Sequence, residues 1–269
     1  MYSIGMFYSL AQLFEMMSGE GEEVSVCFCG TDSHGQGDLF NGDVSKEGRY
    51  FHFEEADITI AAGMHSASGI DPSALPYNAG RLYELSANAF DTIVHAWMSE
   101  LPVAAEIIRF GRKILATTGR QAAYLVATDR SDADVQTVET AAFKVWREFD
   151  RLRGLLRFTP DEDGVYAACC EPDHFILPAF GPHFRERFGQ TPWAIIDAKR
   201  RICLCGEQGQ APVLFDVGKS AEIAGRQPGG EWEDLWRHYH KTINNESRNN
   251  PDLQKQFMPK RYWKYLTEL

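Results

Sequence analysis

No apolar run in this 269-residue chain approaches the roughly 20 residues that a membrane-spanning helix needs. The opening MYSIGMFYSL also lacks the basic n-region of a secretory signal. The expectation is a cytoplasmic protein with no membrane contact. Familiar catalytic signatures are missing too: there is no GxSxG, no HExxH and no GxxxxGK[ST]. The glycine-rich tract 30–43, GTDSHGQGDLFNGD, therefore reads as a polar loop and not as a phosphate cradle. Paired zinc-ligand spacing is absent, and the residues call for no metal and no cofactor.

The composition is that of an ordinary globular protein, 44% hydrophobic and 24% charged, and long enough to bury a sizeable core. A formal net charge of −11 argues against a general polyanion binder, but the charge is unevenly spread. Residues 1–60 hold eleven acids against two bases, whereas from Arg237 onward seven Lys/Arg face three Asp/Glu. The acidic bias is N-terminal and the basic bias C-terminal. The six cysteines fall as Cys27/Cys29, Cys169/Cys170 and Cys203/Cys205. Without a secretory signal they read as reduced thiols. On a strand each CxC pair would turn both sulfurs to one side, which leaves open either buried structural thiols or a four-thiolate site.

Periodicity predicts a helix over 6–18, a strand over 24–30, a bent strand over 49–62 and a long connector over 63–78. A helix over about 79–99 places Leu82, Leu85, Ala89, Ile93 and Ala96 on one face, and a second runs from Pro102 to a stop at Gly119. Ser131 and Asp132 can cap a helix whose buried stripe is Val135, Val138, Ala142, Val145, Phe149 and Leu152, with Lys144, Arg147 and Arg151 as a basic ridge. Strands follow at about 154–159, 164–171, 192–197 and 201–206. A helix between the middle two has Asp173 as its candidate N-cap and buries Leu177, Phe180, Phe184 and Phe188. The last hairpin turns at Lys199 and Arg200, and a glycine-rich connector spans 206–230. Trp232, Leu235, Trp236, Tyr239 and Ile243 predict an amphipathic helix over 231–244, paired with one that starts at Pro259 and turns Tyr262, Trp263 and Leu266 inward. The fold class is α+β: a mostly antiparallel sheet with segregated helices and a C-terminal aromatic helix pair. The chain is read as an N-terminal α/β portion, 1–125, and a C-terminal α+β portion, 126–269, or as one continuous domain.

The terminal blocks WxxYH, RxNPxLQ and MPxRYWxxLxE carry a resemblance. Arg248, Asn250, Pro251, Leu253, Gln254, Met258, Pro259, Arg261, Tyr262, Trp263, Leu266 and Glu268 resemble the C-terminal signature of a bacterial family of probable DNA-metabolism proteins. Asp173, His174, His183, Phe184, Arg187, Trp193, Ile195, Asp197 and Arg200 match its Pro-Asp-His, His-Phe-x-x-Arg and Trp-x-Ile-x-Asp patterns. The likeness covers about residues 131–269. One departure falls in EFDRLRGLLRF, where Asp150 stands in place of the family's usual His. The resemblance implies a setting and not a reaction. Such proteins are encoded beside a radical-SAM protein similar to spore photoproduct lyase, and a related domain is fused to uracil-DNA glycosylases. This chain lacks the CxxxCxxC of radical-SAM enzymes, so it would be the partner of such an enzyme.

Three readings of the polar residues follow. In the first, a DNA-repair accessory protein binds that radical-SAM partner or nucleic acid through Arg151, Arg157, His183, Arg187, Arg200, Arg248, Asn250, Gln254, Lys260, Arg261 and Trp263. In the second, Asp173, His174 and Asp197 perform acid–base chemistry on a nucleotide or damaged base. In the third, pairs such as Arg151–Asp173 or Arg157–Asp197 merely orient helices on the sheet. Arg157, between Leu156 and Phe158 in an expected strand, would point away from both.

Overall fold

Helical spacing governs the described residues up to Leu155, and strand pairing begins only at Thr159. The computed structural model describes residues 10–17, 73, 75, 77–161, 163–206, 211–216, 238, 242 and 250–266. The strands expected at 24–30 and 49–62, nearly all of the 63–78 connector, the 231–244 helix apart from two residues, Arg248 and the Cys27/Cys29 pair lie outside them. The chain divides into two compact units, Met1–Trp146 and Arg147–Leu269. No helix among the described residues is long and apolar enough to cross a membrane.

The described part of the first unit is helical: α1 (Leu10–Met16), α2 (Tyr77–Leu85), α3 (Ala87–Trp97), α4 (Ala104–Leu115), α5 (Arg120–Ala127) and the start of α6 (Ala133–Leu155). The single helix expected over 79–99 is two. Ser86 breaks it with extended backbone, and its hydroxyl accepts the Ala89 N–H at 3.2 Å to cap α3. Leu82, Ala89, Ile93 and Ala96 are buried as the spacing requires, around Phe14 and Phe90 stacked at 5.5 Å. Arg112 donates to the Met16 carbonyl from Nε (3.1 Å) and Nη2 (2.7 Å), which satisfies the C-terminal end of the short α1. Gly119 does not simply end a helix: it stands as the N-cap of α5, an element the periodicity did not single out.

Helix α6 bears out the buried stripe, with Val135, Val138, Ala142, Val145, Phe149 and Leu152 all buried. Asp132 caps it by accepting from the Asp134 and Val135 amides at 2.8 and 3.4 Å, while Ser131 bonds back to Asp129. Asp132 and Asp134 also bind Lys113, and Asp134 binds Arg109 Nη2 at 2.8 Å.

The second unit holds a five-stranded sheet in the order β1 (Thr159–Pro160), β2 (Tyr166–Cys170), β3 (Trp193–Asp197), β4 (Ile202–Gly206) and β5 (Val213–Asp216). Three of its four pairings are antiparallel. β2 and β3 run parallel because α7 (Leu177–Phe188) carries the chain across between them. The α+β expectation holds, with corrections. The strand expected at 154–159 shrinks to Thr159–Pro160, because α6 continues to Leu155. Arg157 is therefore not in a strand. Its guanidinium donates to the Gly154 carbonyl at 3.0 Å, covering the C-terminal end of α6. β5 forms inside the expected connector, and α7 starts at Leu177 with Ile176 before it, so Asp173 is no N-cap.

An aromatic chain fills the space between α6, α7 and the sheet: Phe149–Phe180 (5.2 Å), Phe180–Phe184 (5.7 Å) and Phe184–Trp193 (5.9 Å). Past it come α8 (Pro251–Phe257), capped by Asn250 accepting from Leu253 N, and a 3₁₀ turn, Lys260–Tyr265. Pro259 precedes that turn and does not open an α-helix. Tyr262 and Leu266 are buried as expected, whereas Trp263 is half-buried.

Two outcomes are expected. Trp193 lies opposite Gly206 in the ladder, and a Cβ there would come within 2.5 Å of the indole Cε2. Gly206→Ala should cost about 1–3 kcal/mol, seen as a lower urea midpoint. The Arg109 hydrogen bond, against opposing burial, and the Lys113 contacts hold the Asp134 carboxyl below its usual range; Lys113 does the same for Asp132. A depressed folded-state pKa contributes stability above the unfolded value, and that stability is lost as pH falls through the folded value. Asp134→Asn should flatten the acid limb of the urea midpoint profile below about pH 4.

Candidate functional site

One acid sits where the α6 stripe should be apolar. Glu148 is three residues after Val145 and four before Leu152, so helical geometry turns it inward, and it is 4% exposed. A buried carboxylate is tolerable only with its lone pairs filled. Glu148 Oε1 accepts from the Asp173 amide (2.7 Å), Arg261 Nη2 (3.1 Å) and the Tyr262 hydroxyl, and Oε2 accepts from the His174 amide (2.8 Å). One side chain thus ties α6, the loop after β2 and the C-terminal 3₁₀ turn together.

The loop itself, Glu171–His174, leaves the carboxyl end of β2, next to the parallel strand β3. From the end of β3, Asp197 accepts from the Lys199 and Arg200 amides at 3.0 and 3.1 Å, which shapes the hairpin turn. Its other oxygen takes Arg200 Nη1 at 2.6 Å. Asp197 is fully buried and the Arg200 side chain only 3% exposed. Burial pushes the Asp197 carboxyl up, against the pull of Arg200 and the two amides. Arg200 also donates to the carbonyls of Pro172 (3.0 Å) and Asp173 (2.8 Å), and Lys199 Nζ reaches the latter at 3.3 Å. Outside this frame, Arg261 Nη2 meets Asp173 Oδ2 at 2.7 Å, and Lys264 meets Glu171 at 2.7 Å.

The electrostatics follow from these contacts. Burial works against the Arg261 charge, but Tyr262, Asp173 and Glu148 more than compensate, so its pKa is raised. Burial and the Glu148 carboxylate push the Tyr262 phenol far up, and burial with Glu171 does the same to Tyr265. Glu171 is held low by Lys264 and Tyr265, against its own burial. Four carboxylates (Glu148, Glu171, Asp173, Asp197) face four cations (Lys199, Arg200, Arg261, Lys264). The cluster is balanced. An incoming phosphate would have to compete with Asp173 or Glu171 for its cation.

The structure therefore joins Asp173, His174, Asp197, Arg200 and Arg261 in one network, through partners different from those expected. Asp173 pairs with Arg261 and not with Arg151; Asp197 pairs with Arg200 and not with Arg157. His183 and Arg187 lie on α7 against Phe184, and Arg187 also approaches Phe188. Burial and the nearby Arg153 and Arg187 lower the His183 pKa. Arg151 is half-buried on α6, Gln254 half-buried on α8, and Asn250 is spent on its cap. Trp263 donates to the Met258 carbonyl at 2.7 Å, with Lys260 Nζ 6.0 Å from its ring centroid. Among the described residues no group of three His, Cys, Asp or Glu could hold a metal ion. Burial lifts the Cys203 thiol to about 12 and Cys170 well above its ordinary value, which keeps both protonated. Glu148 and Tyr262, the centre of the network, were not singled out together from the residues. The available signal was an acid inside an otherwise apolar helical stripe.

Fold and network define an α+β protein in which residues 258–266 are locked onto a charged loop beside the parallel β2–β3 pair. The model of a family described as a domain of unknown function, DUF4130, matches residues 107–268, more than half of the chain. The chain belongs to that family. Comparison with proteins of curated function and with solved structures gave no match.

Glu148→Ala should destabilise the protein by about 3–5 kcal/mol, because it strands a buried phenol, two amides and a cation at once. Tyr262→Phe removes the bond donated to Glu148 and the one accepted from Arg261 at 2.7 Å, while Glu148 keeps its other donors, and should cost about 1.5–3 kcal/mol. Urea unfolding of both variants, with amide exchange at Asp173 and His174, checks the ranking.

Proposed function

We propose that this chain is an accessory protein of DNA metabolism, acting by binding and not by catalysis. Its C-terminal segment holds nucleic-acid phosphates. The observation that carries this is the surface of residues 250–266. Lys255, Lys260, Arg261 and Lys264 are exposed there against the single acid Asp252, on a segment fastened from beneath by Tyr262. Half-buried Trp263 and exposed Leu253 and Phe257 add apolar surface beside the cations. Arg261 already holds Asp173, an exposed carboxylate that a phosphate could displace. The DNA setting and a radical-SAM partner of the spore-photoproduct-lyase type rest on the resemblance of the terminal motifs.

The acid–base reading draws less support. Asp197 is sealed beneath Arg200, and Asp173 and His174 lend their amides to Glu148. A general base needs reach to a substrate proton, which a fully buried, ion-paired carboxylate does not have.

Fluorescence anisotropy of the full chain with single-stranded and duplex oligonucleotides, across a salt series, tests the reading. Binding should weaken steeply with salt, and Lys255→Gln with Lys260→Gln should make the log–log slope shallower by about 2. Undetectable or salt-insensitive binding would remove the nucleic-acid role. If a pull-down then captured the radical-SAM protein, and lost it on the same substitutions, the surface would be a protein interface instead.

A further inference from the structure

The first unit contains a cleft that none of the readings above uses. Its volume is about 450 Å³, within the range of small-ligand sites, and Asp91, His95, Arg130, Glu139, Phe143 and Trp146 line it. Phe143 and Trp146 stand one helical turn apart on α6, with ring planes 18° from parallel and centroids 6.4 Å apart. They are 56% and 47% exposed, although rings of this size are normally buried for their hydrophobic contribution. Two near-parallel exposed faces on one wall of a concavity form a platform for a flat ring system.

The remaining lining groups are polar. Asp91 and Glu139 offer carboxylate acceptors that are partly exposed, their side chains 50% and 37% accessible. Arg130 is a donor held loosely by Glu139, at 3.9 Å. His95 is anchored by Asp91, with Nδ1 2.9 Å from its carbonyl and 3.4 Å from its carboxylate, so the imidazole is fixed in orientation. Acceptors next to a donor, around a stacking face, match a ring edge that presents an amino group beside a ring acceptor. Uncharged hydrocarbon would offer nothing to either carboxylate, and a simple organic cation would use the rings and acids but not Arg130.

We propose that this cleft binds a nucleobase bearing an exocyclic amino group, stacked on Trp146 and Phe143, with the amino group donating to Asp91 or Glu139. The proposal is independent of the phosphate-binding surface proposed on the second unit, because every described residue that lines the cleft belongs to the first. The test is titration of the full chain with cytidine, adenosine, uridine and choline, followed by saturation-transfer NMR and calorimetry. Cytidine and adenosine should bind saturably and better than uridine, and choline should not bind. Trp146→Ala should weaken cytidine binding by about tenfold, the loss of one stacked base, while Trp146→Phe retains most of it. Asp91→Asn should bring the cytidine and uridine affinities together. The proposal is overturned by no saturable binding at millimolar nucleoside, by affinities unmoved in Trp146→Ala, by equal affinity for uridine in the unaltered protein, or by choline binding in place of the nucleosides.

Discussion

A single buried carboxylate, Glu148, sets the architecture of the second unit. A helix could present an alanine at that position without disturbing its own backbone. The carboxylate instead imposes a condition: four donors must converge on it, and they come from two distant places in the chain. Two are consecutive amides, so the loop after β2 must turn to point both N–H groups the same way. The others are a phenol and a guanidinium from adjacent residues, so the terminal segment must tighten into a 3₁₀ turn to deliver both. Packing of the Phe149–Phe180–Phe184–Trp193 chain contributes apolar burial, but it is non-directional. The charged centre fixes which way the connecting pieces face.

Around that centre the unit applies one rule repeatedly: irregular backbone is held by side chains whose charge is used up in holding it. Asp197 makes the β3–β4 turn and seats Arg200; Arg200 then secures the Pro172 and Asp173 carbonyls. Arg157 covers the end of α6, as Arg112 covers the end of α1 in the other unit. Such arginines satisfy backbone groups that would otherwise be stranded, and their forked donors suit pairs of carbonyls. This is why arginines that match a family motif need not be ligand-binding. Arg261 differs in staying exposed while it bonds Glu148 and Asp173.

Much of this was legible in the residues. The α6 stripe was readable because six apolar positions at helical spacing admit one face. The Asp132 cap was readable because an acid before such a run has two open amides to accept from. The β3–β4 hairpin was marked by WAIID and ICLCG around a charged turn. What failed did so for identifiable reasons. Gly119 was an ambiguous punctuation mark, and the following α5 is short and carries exposed Tyr124 and Leu125, which blurs its amphipathic pattern. β5 is four residues inside a glycine-rich tract, too short to declare an alternation. Arg261 takes the place expected of Arg151 by reaching Asp173 from 88 residues away, a convergence that spacing does not encode. Arg200 takes that of Arg157 from only three residues along, because the tight β3–β4 turn folds it back onto Asp197.

The contacts between Glu148 and the terminal turn bridge 113 and 114 residues of chain. A polypeptide leaving the ribosome assembles the helix, the loop and the whole sheet before it possesses the groups that complete this centre. Until Arg261 and Tyr262 emerge, the carboxylate has only its two amides, and the core under Tyr262 and Leu266 lacks its cover. The centre is thus completed only once Arg261 and Tyr262 have been made. A chain ending before Arg261 would leave Glu148 with two of its four donors, an under-coordinated charge inside the unit.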